Sequence, residues 1–416
     1  MEAFRVKNLR CIKDSGWIDL KPITLLLGEN DSGKSTFLRA LPLIHQSINR
    51  QTRGPIFWAG SWVDFGSFQE AVRTNGDDTS IGFGFKVNGE AIMMDIAHDA
   101  ETGAAFTSRL TWKDDVSLDV SPAGLCTGFS IDEAAIGQDV KGLLPLNLRA
   151  VGRPNRSMGE QAIQDLVFAK KVLSDVLAQI NYTAPVRATA ERYYRARDFP
   201  VNTVDPFGEN LAMVLANFSE DELARFSIWT NQHFSFNVLV SRSEGHVSLK
   251  IKHHAATRAR NLADKGFGFS QLLPILTQLW LLLESYNPAS TRFTSDYDGD
   301  RVLEKNHGVE IYAIEQPELH LHPRLQAWIT DAFLIAVAEA EKLGFQLRLV
   351  IETHSEVLIN RLGQRIAAGD LDKDHVNVCL FEKDQDDSPA NVMVTGFTDE
   401  GFLKEWPLGF FEPDLV

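Results

Sequence analysis

Apolar positions recur along this chain with two periods, one near 2 and one near 3.6, and the switches between them predict its elements. Residues 3–7 and 22–27 read as strands, the second around the run Ile23-Thr24-Leu25-Leu26-Leu27, as in a parallel strand buried on both faces. A glycine-rich turn follows, then a helix from about Ser35. Between 80 and 120, four β-like runs (SIGFGFKV, AIMMDIA, FTSRLTW, VSLDV) are separated by Asn-Gly, Asp and Thr-Gly turn signals, which predicts an antiparallel meander. From Ile163 to Ile180 the apolar residues fall at helical spacing. A loop rich in Arg and Pro comes next, then helices near 208–216 and 219–232, and strands at Phe236–Ser241 and Val247–Lys252. From 309 onward the order strand, helix, strand, helix, strand predicts a parallel α/β sheet. The most apolar stretch, Leu272 to Leu283, contains Gln278 and reads as a buried helix. No heptad pattern persists long enough for an extended coiled coil.

The strand-poor stretch 121–235 interrupts an otherwise α/β pattern. It is taken as an inserted, mainly helical lobe between an N-terminal half at 1–120 and a C-terminal half at 236–416. Composition allows this plan: among 416 residues, 44% are apolar and 23% charged, enough for a sizeable core. The N-terminus lacks the apolar core of a signal peptide, and no run reaches the roughly 18–20 apolar residues that span a membrane. The three cysteines are far apart and form no metal-type pair. A cytoplasmic protein without a membrane is therefore expected. The net charge of -15 means that any nucleic-acid contact must come from a local patch or a partner.

The candidate chemistry begins at Gly28-Glu29-Asn30-Asp31-Ser32-Gly33-Lys34-Ser35-Thr36, which fits G-x-x-x-x-G-K-[ST] between an apolar strand and a helix. Gly28 and Gly33 let the backbone fold so that its N–H groups converge on phosphate oxygens. The helix start adds a positive partial charge. Lys34 is expected to reach the β- and γ-phosphates of ATP, and the Ser35 hydroxyl to ligate Mg²⁺.

A second cluster closes the strand Val309–Ile314: Glu315-Gln316-Pro317-Glu318. A P-loop site needs a carboxylate for Mg²⁺ and a residue that orients or deprotonates the attacking water. Glu315 is the candidate for the first role, and Gln316 or Glu318 for the second.

Four segments, in this order, together resemble ABC-type ATPases of the OLD, RecF and SMC group, which includes bacterial ATPases labelled AAA. They are the phosphate loop, Gly266-Phe267-Gly268-Phe269-Ser270-Gln271 before a Leu- and Pro-containing helix, Glu315 to Pro323, and Glu352-Thr353-His354-Ser355-Glu356. Trp406 to Phe411 looks like the tail of one ATPase subgroup. The resemblance implies a P-loop ATPase head: an α/β fold with a mixed sheet, helices, an antiparallel β subdomain and the helical insertion. It implies two heads packed head-to-tail, or a larger assembly, with ATP and Mg²⁺ enclosed. Each site would combine the P-loop of one subunit with the signature segment of the other, here Gly268, Ser270 and Gln271. His354 looks like the switch histidine that bonds the γ-phosphate. The implied role is the ATPase or sensor subunit of a bacterial anti-phage defence system, as in Septu- and PARIS-like systems, controlling a separate effector such as a nuclease. With only about 60 residues after His354, fewer than the TOPRIM nuclease of OLD proteins needs, any nuclease is expected on another chain.

Three positions depart from the group's pattern. Glu315 stands in place of the usual Mg²⁺-binding Asp, and Gln316 in place of the usual catalytic Glu. Gly268 falls where the signature serine sits, with Ser270 shifted by two. A glutamine orients water but takes no proton, so slow turnover follows unless Glu318 acts instead. Two rival readings remain open: a nucleotide-gated scaffold with little hydrolysis, and a RecF- or SMC-like DNA-repair ATPase.

Weaker signals accompany these. Gln69 reads either as a glutamine that senses Mg²⁺ or as a surface helix residue. His320 and His322 suggest a metal or, in this family context, a shaped head–head contact. Asp296 to Asp300 has a calcium-loop flavour but lacks the closing Glu and reads as a solvated loop. Arg187, Arg192, Arg195 and Arg197 alternate with Tyr193 and Tyr194. Such a cluster suits nucleic-acid phosphates and bases, an acidic partner, local carboxylates, or ATP of a second subunit.

Overall fold

The computed structural model describes residues 1–48, 54–73, 79–112, 116–120, 125–128, 131–135, 171, 173–196, 201–254, 256–288, 290, 297–298, 301–302, 308–383, 385 and 388–405, with the backbone alone for the strands within 116–135 and 297–302. These residues form two compact units. One is built from Met1–Asn181 and Asp374–Gly396, the other from Tyr182–Lys373 and Phe397–Lys404.

The first unit opens with β1 (Ala3–Leu9), β2 (Ile12–Asp14), β3 (Ile18–Asp19) and β4 (Ile23–Gly28), followed by helices α1 (Lys34–Ile48) and α2 (Phe68–Ala71). The runs between 80 and 120 form the expected meander: β5 (Ile81–Val87), β6 (Glu90–His98), β7 (Ala105–Trp112) and β8 (Val116–Val120) pair antiparallel in sequence order. The meander does not end at 120. β9 (Leu125–Gly128) and β10 (Ile131–Ala135) continue it, because the free edge of β8 offers N–H and C=O groups to the next extended run. Together with β1 and β2 they give the order β10-β9-β8-β7-β6-β5-β1-β2, with β3 also on β1. Residues 173–178 are helical; the earlier part of the helix read from Ile163 lies outside the described residues.

β11 (Ile180–Thr183) leads into the second unit. There β12 (Tyr194–Arg195), β13 (Phe236–Ser243), β14 (His246–His253) and β15 (Arg260–Asn261) form a small antiparallel sheet. Helices α3 (Leu211–Ala216) and α4 (Glu220–Phe234) precede β13. A capping box sets the start of α4: Ser219 accepts from the Glu222 N–H, and the Glu222 carboxylate accepts from the Ser219 N–H. The division at 181/182 falls within the stretch 121–235: the helical residues 173–178 lie in the first unit, and α3 and α4 in the second. The next helix, α5 (Phe267–Ser285), is long and apolar enough to cross a membrane by length and composition, but its side chains from Phe269 to Glu284 are buried within the protein. Phe269 packs edge-on to Phe236 of β13 with ring centroids 5.4 Å apart, and Trp280 lies 5.2 Å from Phe226 of α4.

After the short hairpin β16 (Tyr297–Asp298) and β17 (Arg301–Val302), the expected alternation appears. β18 (Val309–Glu315), α6 (Pro323–Lys342), β19 (Gln346–Glu352) and α7 (Glu356–Ala367) follow, with β18 and β19 parallel from Val309↔Gln346 to Glu315↔Glu352. The chain then returns to the first unit, where β20 (Val376–Glu382) pairs parallel with β4 and β21 (Asn391–Thr395) pairs antiparallel with β20. The fold is α/β with mixed sheets. The tail motif Trp406–Phe411 lies outside the described residues.

Candidate functional site

The first unit carries the phosphate loop. β4 is buried along its whole length, so the chain leaves the interior at Gly28 and must turn at once. Gly28 has φ 144°, and a Cβ there would lie 2.1 Å from the Phe381 carbonyl oxygen of β20. Gly33 has φ 106°, and its Cβ would meet Cys11 Sγ at 3.0 Å. Between them Asp31 adopts the left-handed region at φ 59°. This alternation of backbone signs is what turns successive N–H groups toward one centre.

Glu29, Asn30 and Asp31 are exposed, whereas Ser32, Gly33 and Lys34 are buried. The Lys34 ammonium reaches back across the loop to the Glu29 carbonyl oxygen. Ser32 Oγ is buried and has no hydrogen-bond partner among the described residues. α1 starts at Lys34 without an acidic residue in its first turn, so the positive end of its dipole faces the loop with no side-chain charge of its own turn to offset it. Phe37 anchors the helix between Phe4 of β1 (5.3 Å) and Phe381 of β20 (5.9 Å). A phosphate chain fits here: the wall tolerates no side chain, a buried hydroxyl has bonding capacity left, and a lysine lies in the loop. Gly28, Asn30, Gly33, Lys34, Ser35 and Thr36 would hold ATP, with the Ser35 hydroxyl toward Mg²⁺.

Gln69 is in the same unit, on α2, but its Nε2 lies 2.7 Å from His98 Nε2. Its amide nitrogen is engaged by a neighbouring strand.

The second unit carries the acidic turn. Glu315 ends β18, is 1% exposed, and its carboxylate accepts from the Tyr182 hydroxyl at 2.7 Å. Gln316 follows in the left-handed region at φ 39°, a conformation a glutamine holds only at a cost of about 1–3 kcal/mol. Its N–H donates to the Glu352 carbonyl at 2.8 Å. The two oxygens of Glu318 accept from the Thr353 hydroxyl (2.9 Å) and the His354 backbone N–H (2.7 Å). Burial raises the Glu318 carboxyl above the usual carboxylate range, while these hydrogen bonds and the nearby Arg187 pull the other way. Glu318 therefore ties the acidic turn to the segment that carries His354. Ser355 completes that segment: its Oγ caps α7 through the Leu358 N–H and donates to Gln326 Oε1.

The signature segment takes a different form from the one its sequence suggests. Gly266 (φ 83°) precedes α5, which begins at Phe267. Helical periodicity then turns Ser270 and Gln271 inward. Ser270 is buried, and its hydroxyl donates to the Phe267 carbonyl at 2.6 Å. Gln271 is fully buried, with both ends of its amide on the backbone of Arg187 (3.2 and 3.0 Å). Gly266 and Phe267 are exposed and Gly268 half-buried.

His320 stacks edge-on to Phe267 at 4.8 Å, and His322 Nδ1 accepts from the Arg324 N–H as the cap of α6. Among the described residues no group of three or more His, Cys, Asp or Glu side chains is placed to hold a metal. Arg187 does not belong to a surface cluster: it is 1% exposed, while Arg192 pairs with Asp264 at the surface and Arg195 is exposed. Arg197 and most of 296–300 lie outside the described residues. Sequence reasoning missed Tyr182, Thr353 and the true place of Arg187. The signal for Arg187 is its setting, Ala184-Pro185-Val186-Arg187-Ala188, which unlike Glu191 to Arg195 contains no other charge.

Residues 1–102 match the family described as "AAA ATPase domain", and residues 187–360 match "AAA domain, putative AbiEii toxin, Type IV TA system". No curated protein matches the chain. Solved structures with a distant likeness include an SMC head bound to the C-winged helix domain of ScpA, at 8% identity and a TM-score of 0.46, with 95% of this chain and 98% of that one covered. The SMC head domain from Thermotoga maritima follows at 12% and 0.41, covering 94% and 97%. A third is an Smc head with an extended coiled coil, bound to the C-terminal domain of ScpA derived from Pyrococcus furiosus, at 10% and 0.41, covering 95% and 96%.

Proposed function

From the premise that ATPase-domain families match segments of both units of this AAA-type chain, we propose that it is an ATP-binding and ATP-hydrolysing head of the ABC type. It closes with a second copy, head-to-tail or in a larger assembly, and its nucleotide state controls a separate effector. The observation that carries this reading is the phosphate loop: two glycines at positive φ where a Cβ meets neighbouring atoms, a buried lysine, and a helix start without a compensating acid. Bound ATP would supply an activated phosphoanhydride, and Mg²⁺ would neutralise its charge. The chain's own part is to cradle the β- and γ-phosphates with loop N–H groups and Lys34. Residue by residue, the roles proposed are Mg²⁺ ligation for Ser35 in the first unit and, in the second, a metal carboxylate for Glu315, water orientation for Gln316 and phosphate contact for His354, with Glu318 bonded to the His354 segment. A defensive role in bacteria is supported by the motif resemblance and by the toxin–antitoxin description of the family matched over 187–360.

Equilibrium titration with a fluorescent ATP analogue tests the binding half. Lys34→Ala is expected to weaken binding by about two orders of magnitude, a loss of roughly 3 kcal/mol of charge-assisted contact. Unchanged affinity would remove the loop from the reading.

Gln316 favours one competing reading, a nucleotide-gated scaffold, because an amide accepts no proton. Gln316→Glu places a carboxylate on the same left-handed turn. Its expected effect is a rise in turnover of about tenfold, measured as phosphate release. No rise would show that a missing base does not limit the rate.

A further inference from the structure

We propose that Arg187 is a positioning residue that fixes the acidic turn after β18 and couples it to the first turns of α5. The inference rests on the ATPase reading for its catalytic consequence only; its structural content stands on the second unit alone.

Arg187 is among the largest fully buried side chains, yet it carries a charge. Burial lowers its pKa to about 10, which leaves it protonated at neutral pH. Nη1 donates to the Ala184 carbonyl at 3.0 Å and to the Glu315 carbonyl at 3.5 Å, and Nη2 reaches the carbonyls of Gln316 and Pro317, each at 3.5 Å. One guanidinium therefore faces three consecutive carbonyl oxygens. Dipoles converging in this way repel one another in a low-dielectric interior, and a buried cation offsets that repulsion. The planar fork of donors suits several acceptors at once, which an ammonium does not. The turn so held includes Gln316 at φ 39° and carries Glu315 at one end and Glu318 at the other.

The backbone of the same residue faces α5. The Arg187 N–H donates to Gln271 Oε1 at 3.2 Å, and its carbonyl accepts from Gln271 Nε2 at 3.0 Å. This two-point clamp ties α5 to the segment 182–187, and that segment meets β18 twice more: Tyr182 with the Glu315 carboxylate, and the Thr183 hydroxyl with the Tyr312 hydroxyl at 2.6 Å. A displacement of the α5 start is thereby passed to Arg187 and on to the turn bearing Glu315. Filling space does not explain the arrangement, because a buried charge is a costly filler, offset here by the carbonyl dipoles and the nearby Glu318.

The test is hydrogen exchange on the full chain without nucleotide, with ATP turnover measured in parallel. The amides to follow are Gln316, bonded to the Glu352 carbonyl, and Leu319 and Leu321, bonded within the turn. In Arg187→Met their exchange is expected to rise by about tenfold or more, while β13 and β14 stay within about twofold. Arg187→Lys is expected to fall between. Gln271→Glu keeps the acceptor for the Arg187 N–H and loses the donor to its carbonyl. It is expected to speed the same amides although it touches none of them. In parallel, kcat of Arg187→Met is expected to fall about 30-fold with KM for ATP within about threefold. Exchange that is unchanged at 316–321, or that rises uniformly through the unit, overturns the proposal. So does a loss of kcat matched by an equal loss of nucleotide-binding sites. If the unmodified protein turns over no ATP, the ATPase reading fails and the exchange arm alone decides on Arg187.

Discussion

Gly28→Ala is expected to produce a protein that melts earlier and is not stabilised by ATP. At φ 144° the residue lies in backbone space that a side chain rarely enters, at a cost of about 1–3 kcal/mol. The added Cβ would also sit 2.1 Å from the Phe381 carbonyl oxygen, and that atom belongs to β20, paired in register with β4 from Val376↔Ile23 to Phe381↔Gly28. Backbone cannot step aside as a flexible side chain can, so either the β4–β20 pairing opens or the loop rotates. Both outcomes move the N–H groups that phosphate needs. Thermal melting with and without Mg²⁺-ATP checks this. A variant that melts as the unmodified protein does, and is raised equally by ATP, would contradict the account of the loop.

Glu315→Gln is expected to separate stability from catalysis. The carboxylate is 1% exposed, and the substitution keeps its shape and an oxygen for the Tyr182 hydroxyl. Because the isostere keeps the shape and the acceptor for the Tyr182 hydroxyl, the nucleotide-free protein should melt close to the unmodified one. If the charge serves Mg²⁺, turnover should fall by roughly 100-fold and the Mg²⁺ concentration for half-maximal rate should rise. Lower stability with unchanged turnover would make Glu315 a structural carboxylate and leave the metal role to another residue.

The elements were legible where one physical rule acts alone. Period-2 runs with turn signals foretold β5 to β8, and the apolar run before Gly28 foretold a strand buried throughout. The loop itself was legible because its glycines are demanded by backbone geometry, which sequence records directly. What was not legible depends on register and on distant partners. Ser270 and Gln271 look like exposed signature residues until the helix is seen to begin at Phe267, which turns both inward. Glu318 reads from the sequence as a candidate for the attacking water, and only the fold shows that its oxygens also accept from Thr353 and the His354 N–H. Arg187 looks like one of four surface arginines, because charge is ordinarily solvated. Only the carbonyls of 315–317 and the amide of Gln271, roughly 130 and 84 positions away in the chain, show why it is buried. The sequence carries no stop signal that distinguishes a last strand from an edge that accepts another, so the meander reads as ending at 120 although β9 and β10 continue it.

The same reasoning weighs against nucleic-acid binding through the arginine cluster. Arg187 is buried and Arg192 is paired with Asp264, while the chain as a whole carries a net charge of -15. Of that cluster the DNA-repair reading loses Arg187, while Arg195 stays exposed.

The most direct test of the central claim is the rate of phosphate release from Mg²⁺-ATP by the unmodified protein and by Lys34→Ala. The account predicts measurable turnover that falls by at least about 100-fold in the variant. Equal rates in the two proteins would place the activity outside this loop, and absence of turnover in an unmodified protein that still binds ATP would replace the enzyme with a nucleotide-gated scaffold.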